Sequence, residues 1–244
     1  MAFPGRVYGW FGDEKVAQSA RINGLPLGIR MELPDGREFV HARAGTAANL
    51  TAGELVQAPV IAGTASADTA LTQGNLVCAS AAVGATTLTI TAGGTTAFVK
   101  DAYADGYVVV ASSAGTGIGH VYKAKVNNSA AAGATCLFTL YENDKVKVAI
   151  EGGTTKVGVR ANEFWRVIQM TADTVYTGPP AGVPPVAVTS GWYFWCQRKG
   201  IAAIKSGATV LVAGEPVVAA SATVGGVVHI MAGSAQVDIK SRTP

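Results

Sequence analysis

A run of glycines is the first feature of the chain that could do chemistry. Residues 115–119, Gly-Thr-Gly-Ile-Gly, are similar in spacing to loops that bind nucleotide phosphates. Such a loop must open onto a helix whose amino terminus faces the phosphate. Here residues 121–126 alternate between polar and apolar types, as a β-strand does, and no Walker lysine is present. The pattern therefore favours a plain turn, in which Gly117 and Gly119 supply backbone freedom.

Histidines and carboxylates, the usual general acids and bases, are few and scattered. No second histidine, cysteine or carboxylate stands at a metal-ligand spacing from any of the three histidines, which are His41, His120 and His229. Three aspartates lie beside turn residues, where aspartate stabilises a turn, namely Asp105, Asp144 and Asp173. We expect no catalytic residue, no metal ligand and no cofactor. A hydrolase that assembles a triad or a carboxylate pair from distant positions stays open as an alternative.

Composition and charge restrict the class of protein further. Charged residues make up 14% of the 244 residues and the net charge is +3, against about 25% charged residues in ordinary soluble domains. Small residues or partner proteins must therefore cover part of the surface. The net charge is too small to indicate nucleic-acid binding, and no apolar run is long enough to indicate a membrane span.

The cysteines favour free thiols. Cys78, Cys136 and Cys196 are odd in number, widely spaced and without a Cys-x-x-Cys pair. Residues 1–6 lack the pattern of a secretory signal peptide. We therefore expect a protein made in a reducing cytoplasm.

Alternation of apolar and polar residues predicts an all-β fold. Four strand-like segments separated by turn residues are typical of a β-meander, and they span residues 107–111, 121–126, 137–141 and 145–150. Further short strands are predicted at 155–160, 164–170, 208–213, 217–219, 226–231 and 236–240. The pair Asp105-Gly106 precedes the first meander strand and predicts a positive φ at Gly106.

Changes in composition divide the chain into four sections. Residues 1–62 contain a hairpin around Pro34-Asp35-Gly36 and one short helical turn within 13–19. Residues 63–176 contain the meander, preceded at 63–97 by an Ala/Thr/Gly-rich stretch. In that stretch alternation predicts a strand at 87–91, and the rest predicts an extended arm with too few large side chains for a core of its own. Residues 177–186 hold two Pro-Pro pairs and predict a stiff linker. Residues 187–244 predict a small β-barrel or sandwich.

Two apolar strands need covering on both faces. Residues 192–195, Trp-Tyr-Phe-Trp, would place rings on both sides of a strand, and the strand at 107–111 is apolar throughout. In a monomer these strands would leave apolar patches and open sheet edges. We therefore predict arms and strands intertwined in an oligomer. The candidate interface residues are Tyr107, Val109, Trp192, Tyr193, Phe194 and Trp195.

Three stretches resemble one family. Residues 104–110, Ala-Asp-Gly-Tyr-Val-Val-Val, and 117–123, Gly-Ile-Gly-His-Val-Tyr-Lys, resemble patterns of the capsid decoration (cement) proteins of tailed bacteriophages. Residues 190–202, Ser-Gly-Trp-Tyr-Phe-Trp-Cys-Gln-Arg-Lys-Gly-Ile-Ala, are similar to a further segment of that family. In that segment Cys196 and Lys199 stand where an aliphatic and an aromatic residue are usual.

The resemblance implies a non-enzymatic structural protein of the virion. Such a protein sits as a homotrimer on the outer surface of the capsid, bridges major capsid protein subunits and stabilises the head. In this interpretation residues 1–62 dock on the capsid, and the candidate contacts are Arg37, Phe39, His41 and Arg43. The alternative, from a different class, is a carbohydrate- or receptor-binding β-module of a phage tail or cell surface, with the ring cluster as its platform.

Overall fold

The computed structural model describes residues 5–59, 72–111, 115–171, 178–207, 211, 216–220 and 222–229. These residues form sixteen strands and two single-turn 3-10 helices, at Asp13–Lys15 and Ile22–Gly24, so the predicted all-β fold is confirmed. The strands, in chain order, are β1 Arg6–Tyr8, β2 Ala17–Gln18, β3 Arg30–Glu32, β4 Glu38–Arg43, β5 Val56–Gln57, β6 Thr72–Val77, β7 Thr87–Thr91, β8 Tyr107–Val110, β9 Val121–Asn127, β10 Thr135–Leu140, β11 Lys156–Arg160, β12 Ile168–Gln169, β13 Pro180–Gly182, β14 Tyr193–Lys199, β15 Val217–Ala219 and β16 Val227–His229.

Six strands form an antiparallel sheet in the order β6-β11-β8-β9-β10-β7. An isolated bridge between Cys78 and Ile90 links its two outermost strands, so the sheet curls into a partly closed barrel. Inside the barrel, the ring of Phe98 meets Tyr103 and Phe138 edge-on, at centroid distances of 5.5 and 5.2 Å. Edge-on ring pairs of this kind stabilise a core beyond the area that they bury.

The predicted meander is correct for three of its four strands. β8, β9 and β10 overlap the segments predicted at 107–111, 121–126 and 137–141 and are neighbours in the sheet. Segment 145–150 is not a continuous strand: Ile150 forms an isolated bridge with Ala81, and Val146 exchanges hydrogen bonds with residues 84–85, but the residues between them form no ladder. The strand predicted at 87–91 is present as β7. The rest of the predicted arm at 63–97 needs correction, since β6 is also a barrel strand, while residues 63–71 lie outside the described residues.

A second sheet of five strands has the order β1-β3-β4-β14-β2. The predicted hairpin is present as the antiparallel pair β3 and β4. The ring cluster lies in β14, which pairs with β4 and β2 and not with strands of a separate carboxy-terminal barrel. The boundary predicted at residue 187 is therefore corrected: Phe194 packs in the main core and Trp195 in a smaller core beneath β3, so this strand needs layers on both faces.

The proline-rich segment is paired and not a free linker. Within it, β13 forms the edge of a three-stranded sheet in the order β12-β5-β13, and Val183 exchanges hydrogen bonds with Gln197 of β14. Prolines are tolerated at a sheet edge because their missing amide faces away from the ladder.

β15 and β16 form a separate hairpin, and the strands predicted at 208–213 and 236–240 lie outside the described residues apart from Leu211.

Candidate functional site

Three aromatic side chains near the amino terminus are largely exposed. Tyr8, Trp10 and Phe11 leave 80%, 76% and 63% of their surface open to solvent. Neighbouring exposed rings of this kind are candidates for a contact surface, because the exposure of large rings to water is unfavourable until a partner covers them. We refer to residues 8–15 as the aromatic turn.

Strand β3 anchors the aromatic turn through backbone pairing. β1 runs parallel to β3 with Tyr8 beside Glu32, and the Gly9 amide donates to the Glu32 carbonyl oxygen at 3.0 Å. A Cβ atom at Gly9 would lie 2.6 Å from the sulfur of Met31, so the absence of a side chain lets the backbone pack this closely. The segment is thereby fixed against the core on one side while its rings face solvent on the other.

Hydrogen bonds from backbone amides to acidic side chains stabilise the aromatic turn. Asp13 accepts a hydrogen bond from the Trp10 amide at 2.8 Å, and Glu14 accepts one from the Gly12 amide at 2.6 Å. Glu14 is buried, and its carboxylate lies 3.5 Å from the guanidinium of Arg37. These contacts order the turn before any partner arrives, which reduces the entropy that binding would otherwise cost.

Arg37, predicted to touch a capsid, is half-buried and supports the aromatic turn through contacts within the chain. Besides facing Glu14, it donates from Nε to Asp35 at 2.6 Å, and its guanidinium carbon lies 5.7 Å from the centre of the Phe39 ring. The hydrogen bond from Arg37 lowers the pKa of the Asp35 carboxyl below its ordinary value. This arginine is therefore committed to internal partners.

Two further predicted contacts, Phe39 and His41, are fully buried, so the predicted contact face is corrected. The prediction treated alternate residues of this strand as solvent-facing, but β4 lies between β3 and β14 with core on both faces. The His41 ring lies 5.5 Å from Tyr193 and 5.3 Å from Trp195 between centroids. Burial in this apolar setting lowers the pKa of His41 to about 4.

Arg43, the last of the predicted capsid contacts, also has an internal role. Its guanidinium carbon lies 4.2 Å from the centre of the Trp165 ring and 5.4 Å from that of Tyr193. Its Nε donates to the carbonyl oxygen of Gly191 at 2.9 Å. Burial lowers the pKa of this half-buried arginine below its ordinary value. Arg43 thus links β4 to the segment that precedes β14.

The predicted interface residues divide into two groups. Phe194 and Trp195 are buried in the chain's own cores, so they are not available to another copy. Tyr107 and Trp192 keep 39% and 37% of their surface exposed, and Val109 and Tyr193 are half-buried. The exposed members remain candidates for contacts with other chains.

The predicted turn residues have roles that differ in part from those expected. Gly117 and Gly119 have positive φ angles of 80° and 84°, as a glycine turn requires. At the other turn the positive φ, 59°, belongs to Asp105, so the expectation for Gly106 is wrong. Gly106 is needed for a different reason, because a Cβ atom there would lie 2.4 Å from the carbonyl oxygen of Arg160.

Asp105 is the centre of a buried polar network between the barrel and the five-stranded sheet. Its carboxylate accepts hydrogen bonds from the guanidinium of Arg21, the hydroxyl of Tyr141 and, at 2.9 Å, the amide of Leu27. The side chain of Asn162 adds a bond to the Asp105 carbonyl oxygen at 2.9 Å. We refer to these residues as the polar junction. Burial, together with the bond to Asp105, raises the pKa of the Tyr141 hydroxyl above its ordinary value, so Tyr141 is a proton donor.

The glycine run at 115–119 is a turn that packs against the end of the barrel. A Cβ atom at Gly115 would lie 3.1 Å from the Cα atom of Thr155, and the Thr116 hydroxyl donates to the carbonyl oxygen of Ala149. Strand β9 follows at Val121, so the geometry of a helix amino terminus is not formed here. The glycines therefore serve close packing.

Within the part of the chain that the structure describes, no group of three or more His, Cys, Asp and Glu side chains is arranged to hold a metal ion. No helix among the described residues is long and apolar enough to cross a membrane. The three cysteines are buried free thiols.

No protein-family description, curated protein or solved structure matches the chain.

Reasoning from the sequence missed the aromatic turn. The available signal was the segment Tyr-Gly-Trp-Phe-Gly-Asp at residues 8–13, where rings are separated by glycine and followed by a turn pair. Such a segment lacks the alternation of a core strand. Without a strand to bury them, the rings had to lie at the surface or under a loop.

Proposed function

We propose that the chain is a structural virion protein that decorates the outer surface of a tailed-phage capsid and stabilises it by bridging major capsid protein subunits. The observation that carries this proposal is the aromatic turn, a preorganised and exposed apolar element within the amino-terminal section. The sequence resemblance supplies the identity of the partner. The proposed location is the capsid exterior, after synthesis in the host cytoplasm.

The features of the aromatic turn favour a protein partner over a sugar. Carbohydrate sites combine a ring platform with polar groups that are free to bind hydroxyls. Here Asp13 and Glu14 already accept hydrogen bonds from the backbone of the turn itself. Exposed rings on a rigid support are instead typical of the anchor residues that dominate protein interfaces.

Head binding tests the docking assignment. We expect Trp10→Ser combined with Phe11→Ser to weaken binding to undecorated heads at least ~30-fold, since each buried aromatic anchor contributes about 2 kcal/mol or more. A matched control is Val83→Ser combined with Ile201→Ser, which also removes two exposed apolar side chains, 64% and 92% exposed. Equal binding by both variants and the wild type would contradict the assignment.

The proposal includes a homotrimer. Apolar side chains on the open face of the barrel, such as Val126 and Leu137, which are 40% and 41% exposed, give copies of the chain a surface on which to associate. A cyclic trimer closes and therefore does not extend into fibres. Light scattering should give three times the mass of one chain, and a stable monomer at micromolar concentration would refute this part.

A further inference from the structure

The strands of the barrel carry a net positive charge. The six barrel strands carry four basic residues and no acidic residue. Among the described residues, none of these four forms an ion pair. They are Lys123, Lys125, Lys156 and Arg160.

In the five-stranded sheet, by contrast, two of the five lysine and arginine side chains have acidic partners among the described residues. Arg6 pairs with Glu32, and Lys199 pairs with Glu38 at 2.8 Å. Charges that are satisfied internally contribute little to binding, whereas unpaired charges on one face attract a partner of opposite sign. The four barrel cations have no acidic partner among the described residues, so they can attract one from another chain.

Two of the barrel cations lie at a groove. The strand register places Lys123, Tyr107 and Arg160 side by side across β9, β8 and β11, with Val109 and Val121 in the next row. These residues line a groove of about 490 Å³, whose far wall comes from residues 27–28 and 161–164. Lys123 lies over the Tyr107 ring, with its Nζ 3.9 Å from the ring centre. The groove thus has an apolar floor, two cations and one carboxylate, that of Glu163.

We propose that this groove is the docking site for an acidic loop of the capsid protein, one that presents an apolar side chain between carboxylates. The inference rests on the proposed function, because a protein that bridges capsid subunits needs a second contact surface besides the aromatic turn. The valine floor matches an apolar side chain, and Lys123 and Arg160 match its acidic neighbours. A nucleic acid fits less well, since single strands need several stacking rings and the groove offers one.

Charge reversal tests the groove. We expect Lys123→Glu combined with Arg160→Glu to bind undecorated heads at least tenfold more weakly at 50 mM salt. The affinity of the wild type should fall as the salt concentration rises to 200 mM, because salt screens the attraction between the groove and its partner. The affinity of the variant should change less, because the variant lacks that attraction. The control is Arg30→Glu combined with Lys100→Glu, two exposed positions outside the groove with the same change in net charge. Binding by the groove variant equal to that of the control would overturn the proposal.

A second probe separates this proposal from the proposed function. A dye-labelled peptide of alternating glutamate and leucine should bind the wild type and not the groove variant. Peptide binding without head binding would sustain the groove chemistry and refute the capsid role. Head binding that is insensitive to the groove variant would sustain the capsid role and refute the groove. Tighter binding of a single-stranded oligonucleotide than of the peptide, or loss of self-association in the groove variant, would assign the groove to another occupant and overturn the proposal.

Discussion

Replacing Asp105 by asparagine removes one negative charge from the polar junction and keeps the size of the side chain. The carboxylate is buried and accepts three hydrogen bonds, from Arg21, Leu27 and Tyr141. Asparagine also tolerates the positive φ of 59° that this position adopts. The substitution therefore isolates the contribution of the charge from that of the backbone.

The expected loss follows from the number of bonds and from their burial. Hydrogen bonds to a charged group each contribute about 1.5–3 kcal/mol, and removal of one partner of a buried ion pair costs about 3–5 kcal/mol. Arg21 keeps 26% of its side-chain surface exposed, so it can partly rehydrate when its partner is lost. We therefore expect Asp105→Asn to lower the free energy of unfolding by about 2–3 kcal/mol, which is at or below the lower end of the range for a broken buried ion pair. Asp105→Ala should lower it by about 4–5 kcal/mol, because it also leaves the Leu27 amide without an acceptor.

Urea unfolding followed by tryptophan fluorescence and circular dichroism measures these differences. The matched control is Glu32→Gln, which breaks the more exposed pair with Arg6 and should cost less than about 1 kcal/mol. If Asp105→Asn destabilises the protein no more than Glu32→Gln does, the polar junction does not hold the two sheets together, and the reasoning is refuted.

Two further predictions concern single positions. Gly106→Ala should lower the free energy of unfolding by about 1–3 kcal/mol, because the added Cβ atom overpacks against backbone atoms. The control Gly74→Ala, whose added Cβ atom meets nothing within 4 Å, should change it by less than about 0.5 kcal/mol. Equal stabilities of the two variants would show that the close approach at Gly106 is not a constraint. His41 binds a proton in the unfolded chain below its ordinary pKa of 6.5 but in the folded protein only near pH 4, so stability should fall as the pH drops from 6.5 to 4, by up to about 3 kcal/mol. Unfolding curves at several pH values measure this slope, and an unchanged slope in His41→Gln would assign it to other groups.

Local pattern predicted many of the strands and the pairing of strands that follow one another in the chain, but it could not predict pairing between distant segments. β7 and β9 were found from alternation alone, since one face of each is buried in the barrel. β14 was assigned to the wrong unit because its partner, β4, lies about 150 residues earlier in the chain, as in the pairing of Phe194 with Ala42. Alternation specifies the faces of a strand and carries no information on its neighbours.

The candidate site was harder to predict for a related reason. Alternation along β4 separates two faces, and the predictions assigned the face with Phe39 and His41 to solvent. Whether a face meets solvent depends on the layers that the rest of the chain adds, and here a smaller core covers it. For Trp10 and Phe11 the missing alternation at residues 8–13 indicated that no core strand buries the rings. The choice between the surface and a position under a loop is a property of the assembled fold, since large rings are usually buried. At Gly106 the predicted positive φ was wrong. The constraint found there, the close approach of the Arg160 carbonyl oxygen, is a tertiary contact that the local pattern does not show.

The polar junction connects the two surfaces that the proposals assign to the capsid. The aromatic turn belongs to the five-stranded sheet and the groove lies on the barrel, so the contact between these sheets sets the angle between the two surfaces. A purely apolar contact allows neighbouring packings of similar energy, whereas directional bonds to one buried carboxylate favour a single arrangement. If both surfaces bind at once, an error in that angle removes the advantage of the second contact. We therefore expect folded Asp105→Asn protein, assayed well below its melting temperature, to bind undecorated heads about as weakly as the groove variant does. Full-strength binding by the folded Asp105→Asn protein would show that the junction stabilises the fold without orienting the two surfaces.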